Sequence, residues 1–226
     1  MFTSKLKVLH SHGIQYIRDL EAATLPPIFR GRPRIVPGMP AALAAELEAM
    51  CPTGAVVARP VRLDMGRCLF CGECARHAEG FIEFTSNYRM AANARDALIV
   101  REGDDPDASI FDPSLMRVET GAFFRRSLKL RQVSAGGDNA CEMELNASGN
   151  VNFDFGRFGV DFVASPRHAD GVVITGPITQ NMALPLEICY NAIPDPKVVI
   201  LAGSEAISGG LFAGSPAIDR RFLDGR

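Results

Sequence analysis

Hydrophobic and polar positions follow two different regimes along the chain. Toward the carboxy terminus, Gly171-Val-Val-Ile-Thr-Gly-Pro is apolar enough to predict a strand buried on both faces. Met182-Ala-Leu-Pro-Leu-Glu-Ile-Cys-Tyr-Asn predicts a helix, and Lys197-Val-Val-Ile-Leu-Ala-Gly-Ser the next strand. Strand, helix and strand at this spacing predict a right-handed βαβ crossover in a parallel sheet. Val160-Asp-Phe-Val-Ala-Ser predicts a further strand, and Phe123-Phe-Arg-Arg-Ser-Leu-Lys-Leu-Arg-Gln-Val reads as a basic amphipathic, solvated face, with docking on a partner subunit as the alternative. Ligands of such sheets bind at the carboxyl ends of the strands, here Thr175-Gly-Pro, Gly203-Ser-Glu and Ser208-Gly-Gly.

The amino-terminal half is patterned in shorter pieces. Lys5-Leu-Lys-Val-Leu predicts a short strand, and Ile14 to Leu20 one or two helical turns ended by Pro26 and Pro27. Gly31 and Pro33 mark a turn before another short strand. Met39 to Met50 predicts a helix built on alanine, leucine and glutamate. Ala55-Val-Val-Ala-Arg-Pro-Val-Arg-Leu predicts a strand, and Phe81-Ile-Glu-Phe-Thr a closing one. Residues 101–116 are polar and turn-rich, the best linker. The expected organisation is an arm (1–28), a first domain (29–100), a linker (101–122) and an α/β domain (123–226).

With 226 residues, 47% of them hydrophobic and 22% charged, the composition is that of an ordinary globular chain. A net charge of −2 gives no electrostatic reason to expect nucleic acid as a partner. No stretch reaches the ~18 uninterrupted apolar residues of a membrane span. The first residues, Met1-Phe-Thr-Ser-Lys-Leu-Lys, have no apolar secretory core. The expectation is a cytoplasmic protein that reaches the inner membrane only through partners, with its six cysteines suited to metal chemistry in a reducing compartment.

That chemistry centres on Met65-Gly-Arg-Cys68-Leu-Phe-Cys71-Gly-Glu-Cys74, where a short turn aims three thiolates at one iron–sulfur cluster. A two-cluster ferredoxin run has the form C-x2-C-x2-C-x3-C-P, its last cysteine serving the other cluster. Ala78 stands where that last cysteine belongs. Counting back from Cys51 by the same spacing gives Leu47, Ala44 and Ala41. Read as two runs, the chain keeps Cys51, Cys68, Cys71 and Cys74, the set that serves one [4Fe–4S] cluster, and has lost the complete set that would serve the other. A zinc site is the alternative, although zinc cysteines usually come as two separated C-x2-C knuckles. A disulfide set, or Cys51 as a small buried hydrophobe, are the other readings. The helix at 39–50 would fill the volume of the vanished cluster.

From Phe29 to Arg101, the motifs Phe29-Arg-Gly-Arg-Pro, Cys51-Pro-Thr-Gly-Ala and Asp64-Met-Gly-Arg-Cys-Leu-Phe-Cys-Gly-Glu-Cys resemble the two-cluster ferredoxin-like subunit of complex I and of membrane-bound nickel–iron hydrogenases such as formate hydrogenlyase. From Phe124 onward, Arg157-Phe-Gly, Ala164-Ser-Pro-Arg-His-Ala-Asp, Thr175-Gly-Pro-Ile-Thr-Gln-Asn-Met, Pro194-Asp-Pro-Lys and Ser208-Gly-Gly are similar to the small subunit of the same complexes, which bears the cluster nearest the quinone or nickel–iron site. The resemblance implies an α+β ferredoxin-like cluster domain followed by a truncated, flavodoxin-like α/β domain. It also implies an electron-transfer subunit with one [4Fe–4S] cluster, not catalytic alone, whose partners are the large and membrane subunits of an oxidoreductase complex. A scaffold that docks on such a complex with a structural or absent metal is the second reading.

The departures concern the second domain. Where the family has Gly-Ser-Cys-Asn-Gly-Cys-Glu, this chain has Gly136-Gly-Asp-Asn-Ala-Cys-Glu, so Asp138 replaces the first ligand and Cys141 retains the second. Glu205 stands at the third, and the chain stops at Arg226 before the segment of the fourth. The resemblance thus implies a degenerate, empty second site at Asp138, Cys141 and Glu205. His10 and His12 are expected to be solvated, and Cys189 to be core. His168 with Asp170 has no accompanying nucleophile motif, so hydrolysis is not expected. Ser208-Gly-Gly-Leu-Phe-Ala-Gly lacks the Gly-Lys-Ser/Thr ending of a phosphate loop.

Overall fold

The computed structural model describes residues 2–116 and 118–225. The chain opens with helix α1, Phe2–His12. The strand expected at Lys5–Leu9 is therefore corrected to helix: no strand among the described residues lies alongside to take its hydrogen bonds, and lysine and leucine are good helix formers. Ile14–Leu20 forms no helix, because its backbone is spent on distant partners. The Ile17 N–H donates to Asn152 O (2.8 Å), Arg157 donates to Ile17 O, and Tyr88 Oη donates to Leu20 O. The arm is thus tied to both halves of the protein.

The first half continues with β1 (Pro33–Ile35), α2 (Ala41–Met50), β2 (Val56–Ala58), β3 (Val61–Asp64), α3 (Glu73–His77), β4 (Ile82–Phe84) and β5 (Ile99–Arg101). Strand β1 pairs antiparallel with β4, and β2-β3-β5 form a second antiparallel sheet. The single strand expected over 55–63 is in fact the β2–β3 hairpin, since Arg59-Pro60 interrupts the ladder and the chain folds back with Val56 facing Leu63. Ile35, Leu47, Leu63, Ile82 and Val100 are buried in one core. Of the four positions that a second ligand set would have used, Ala44, Leu47 and Ala78 are each at most 1% exposed within that core. Apolar side chains fill that volume.

Polar residues 101–112 are pinned to this first half. The buried Arg32 guanidinium donates to Pro106 O (3.3 Å) and Ala108 O (2.5 Å), and Asn87 Nδ2 donates to Pro106 O (2.7 Å).

After α4 (Val118–Phe123) come β6 (Leu128–Ser134), α5 (Ala140–Ala147), β7 (Val160–Phe162), β8 (Gly171–Thr175), α6 (Gln180–Asn191), β9 (Val198–Ala202) and α7 (Ser204–Ser208). The four strands are parallel, in the order β7-β6-β8-β9. The solvated face expected over 123–133 is corrected for most of its length. Strand β6 lies inside the sheet with β7 and β8 on its two edges, and Leu130 and Val133 are buried. Strand β8 is buried at every position, and β8, α6 and β9 form the expected crossover. Val172, Ile174, Ile178, Leu186 and Ile193 make the core. The chain leaves β6 for β7 on one side and returns to β8 on the other, so a topological switch point lies at their carboxyl ends.

Candidate metal centre

Four cysteines from two separate segments reach one cavity. Cys51 is the residue that ends α2, and the three others lie on the loop from β3 into α3. Cys51, Cys68, Cys71 and Cys74 line that cavity together with Met50, Thr53, Leu63 and Phe84. The loop wraps because Phe70 (φ 52°) and Gly72 (φ 79°) take left-handed backbone conformations. Its first turn is fixed by Asp64, whose Oδ1 accepts from Gly66 N (2.9 Å) and whose carbonyl accepts from Cys68 N (3.0 Å). Asp64 Oδ2 in turn meets Arg95 Nη2 at 2.5 Å.

Backbone donors point at the sulfurs. Ala55 N lies 3.3 Å from Cys51 Sγ and Phe70 N lies 3.2 Å from Cys68 Sγ. Cys68 is buried, Cys51 and Cys74 half-buried, and Cys71 exposed. Burial, only partly offset by the Phe70 N–H and reinforced by Cys74, Cys51 and Cys71, pushes the Cys68 thiol up to about 12. Burial also raises Cys74, with Cys71 and Cys51 adding to it. Cys51 moves the other way: burial works against its thiolate, but the N–H groups of Val56, Thr53 and Ala55 outweigh it.

Cys68 and Cys74 thus resist ionisation, buried beside the other thiols, unless a cationic group compensates them. The donor set, soft sulfur throughout with N–H donors behind it, fits an iron–sulfur group held by Cys51, Cys68, Cys71 and Cys74. Among the described residues no three Cys, His, Asp or Glu side chains meet closely enough for a single metal ion.

The two arginines that flank the cysteine run in sequence, Arg67 and Arg76, are both solvated and paired. Arg76 forms an ion pair with Glu73, and Arg67 Nε stands 3.7 Å from Asp64 Oδ2. Sequence reasoning missed Arg30. Its Nη1 lies 3.4 Å from where a Cβ on Gly72 would stand, inside the Cys71–Cys74 run. Only the Phe29-Arg-Gly-Arg motif signalled it.

Asp138, Cys141 and Glu205 gather separately, on the segments that follow the carboxyl ends of β6 and β9. A Cβ on Gly203 would stand 2.3 Å from Cys141 Sγ, and one on Gly137 2.8 Å from Glu205 Oε2. Burial raises the Cys141 thiol, aided by Glu142, Asp138 and Glu205. Burial likewise raises Glu205, aided by Asp138 and Glu142. Asp138 Oδ1 accepts from Ala140 N (2.9 Å), and Glu142 Oε1 from Thr175 Oγ1 (2.6 Å). This corner is acidic and closely packed. His10 and His12 lie exposed on α1, and Cys189 packs half-buried against the α/β core.

Residues 139–224 match the protein family described as NADH ubiquinone oxidoreductase, 20 Kd subunit. The chain is 39% identical over 94 residues to a probable membrane-bound hydrogenase subunit of Pyrococcus furiosus, covering 42% of this chain and 56% of that protein. It is 42% identical over 88 residues to formate hydrogenlyase subunit 7 of Escherichia coli (39% and 34% covered). To an NADH-quinone oxidoreductase subunit of Desulfovibrio desulfuricans it is 44% identical over 72 residues (32% and 39% covered). The chain thus spans between about a third and a little over half of the length of these relatives. The small-subunit resemblance expected of the second domain is borne out over the matched segment. Its parallel α/β sheet is the architecture expected. Among the described residues no helix is long and apolar enough to cross a membrane.

Proposed function

We propose, from the premise that residues 139–224 carry the 20 kDa-subunit sequence, that this chain is an electron-transfer subunit of a hydrogenase-type or complex I-like oxidoreductase. In this reading the first half is a ferredoxin-like domain with one [4Fe–4S] cluster, and the second a shortened, flavodoxin-like small-subunit domain. When bound, such a cluster supplies one-electron transfer and no substrate bond. The observation that carries the reading is the convergence of Cys51, from the end of one helix, with the Cys68–Cys74 loop on a single cavity.

The roles of the chain's own residues follow from that geometry. Four thiolates would hold the group. The N–H groups of Ala55 and Phe70 would lower the basicity of two sulfurs and so favour the reduced state. Leu63 and Phe84 keep the inner side of the cavity dry, whereas Cys71 is exposed, which makes its side the exit nearest solvent. The named relatives include subunits of a membrane-bound hydrogenase and a formate hydrogenlyase, which supports partner subunits and peripheral attachment through them.

The test is iron and acid-labile sulfide analysis with EPR on anaerobically purified, dithionite-reduced protein. About four iron and four sulfide per chain with a reducible signal are expected. Cys51→Ala is expected to lose most of both. A diamagnetic zinc protein overturns the reading in favour of a docking scaffold.

A further inference from the structure

We infer that helix α1, with the aromatic patch at its root, attaches this protein directly to the surface of an anionic phospholipid bilayer. This contact is additional to the attachment through partner subunits proposed above, and it does not depend on what the cysteine cavity holds.

Helix α1 is exposed all round: every residue from Thr3 to His12 is open to solvent. An eleven-residue helix is marginal in water on its own and gains most from laying an amphipathic face against a surface. At about 100° per residue, Leu6 and Leu9 share one stripe, with Lys5 and His10 on its two sides and Lys7 and Ser11 opposite. Leu6 and Leu9 are 51% and 67% exposed. A strand over the same residues would have set them on opposite faces, so it is the helix that makes the stripe. Lys5 beside it can lay its aliphatic stem along a lipid surface and keep its ammonium among the headgroups.

The charge on this helix has one sign. The chain carries 26 Asp and Glu, yet none stands between Met1 and Arg18. Among the described residues neither Lys5 nor Lys7 enters an ion pair. Around the root of the arm the charges balance. Arg18, Arg157 and Lys129 stand with Asp19, Asp154 and Asp161, and Arg89 meets Glu21 at 3.7 Å. Glu144 lies further back, on α5. The cationic excess is therefore the helix's own, in a chain whose net charge is −2. Basic amphipathic helices of this kind lie in the interface of anionic membranes.

The root of the arm supplies a second contact. The Ile17 N–H donates to Asn152 O (2.8 Å), which sets the arm beside the exposed side chains of Val151, Phe153 and Phe158. Tyr16 is exposed there too, and the Arg157 guanidinium lies 5.6 Å from its ring centroid and 4.8 Å from that of Phe158. Aromatic rings with a polar tip or a cation over them suit the headgroup level of a bilayer. A protein groove of fixed shape would take the helix alone, whereas a deformable lipid surface takes the helix and these side chains together.

Flotation of the full chain with vesicles tests this. Vesicles of equal parts phosphatidylglycerol and phosphatidylcholine are compared with phosphatidylcholine alone. Binding is expected on the anionic vesicles and to fall about tenfold as salt rises from about 0.05 to 0.5 M. Lys5→Gln and Lys7→Gln should each weaken it about fivefold, and Leu9→Gln about tenfold. Arg62→Gln, which removes one charge from β3, should leave it within about twofold. Melting temperatures equal to wild type are expected of all four, because these side chains are exposed. The chain has no tryptophan, so Leu9→Trp adds a single reporter: its emission should shift to the blue on anionic vesicles and be quenched by lipids brominated in their acyl chains. Absence of flotation overturns the bilayer assignment and leaves α1 to a protein groove. Equal, salt-independent binding to both vesicles overturns it as well. So does flotation that survives loss of both lysines, or Leu9→Trp emission that stays unshifted and unquenched while the protein floats.

Discussion

Gly66 packs against Ile207: a Cβ on Gly66 would stand 2.7 Å from Ile207 Cγ2 and 3.0 Å from Arg95 Cζ. One residue lies two positions before Cys68, and the other lies in α7 of the α/β domain, two positions after Glu205. The cysteine loop and the second domain therefore meet with no room for a side chain between them. Gly66→Ala should push Ile207 and the Arg95 guanidinium aside, weakening the contact and the Asp64–Arg95 pair together. We expect a loss of about 1–3 kcal/mol in denaturant unfolding, with Ile207→Ala restoring part of it by opening space. Equal stability of Gly66→Ala and wild type would show that the two halves do not press on each other here.

The buried face of α2 makes its own prediction. Leu47 is fully buried in the first core. Leu47→Ala is expected to cost about 2–5 kcal/mol by leaving a cavity. Reintroducing cysteine at Ala44 and Leu47 should not raise the iron content, because α2 holds its buried face against β2 and α3 and does not form a ligand loop. Chemical denaturation and iron analysis check the two statements separately.

Glu142 is a buried carboxylate held by hydroxyls. Burial works against its charged form, but the hydroxyls of Ser134 and Thr175 outweigh it and hold the carboxyl below its usual range. A carboxylate whose folded pKa is depressed contributes stability that is complete above the unfolded value, near 4.3, and is lost as pH falls through the folded one. Thr175→Val should therefore cost about 1–3 kcal/mol at neutral pH, with the gap to wild type closing as the pH drops below about 4. Melting curves across the acid range test it, and a gap independent of pH would contradict it.

Arg220 fastens the turn that carries Glu205. Its guanidinium donates to Pro177 O (3.3 Å), Glu205 O (3.1 Å), Ala206 O (2.8 Å) and Ile207 O (3.1 Å). Arg220→Ala is expected to destabilise the α/β domain by about 2–3 kcal/mol, with Arg220→Lys recovering little, since an ammonium cannot span four carbonyls in a planar fork. Amide exchange at α7 and the strand before it is the sensitive readout, and protection unchanged in Arg220→Ala would refute the assignment.

Local chemistry determined much of this protein. The α2 helix follows from its run of alanine, leucine and glutamate, and the β8–α6–β9 crossover from two apolar runs separated by a helix-length segment. The spacing of Cys68, Cys71 and Cys74 puts three thiols on one short loop whatever surrounds it, because a short turn constrains its own side chains. The arm could not be settled that way. Lys5–Leu9 carries a pattern that suits strand or helix, and only the lack of a pairing neighbour decided for the helix.

Tertiary structure decided what depends on distant partners. The basic residues of 123–133 look solvated in sequence, yet Leu128–Ser134 is an inner strand, since β7 and β8 supply both its edges. Arg30 has no chemical meaning until the fold lays it over Gly72, nor does Gly66 until Ile207 arrives. Periodicity and turn chemistry act over a few residues and can be read one-dimensionally. Steric contact and charge placement between segments more than forty positions apart exist only once the chain has closed on itself.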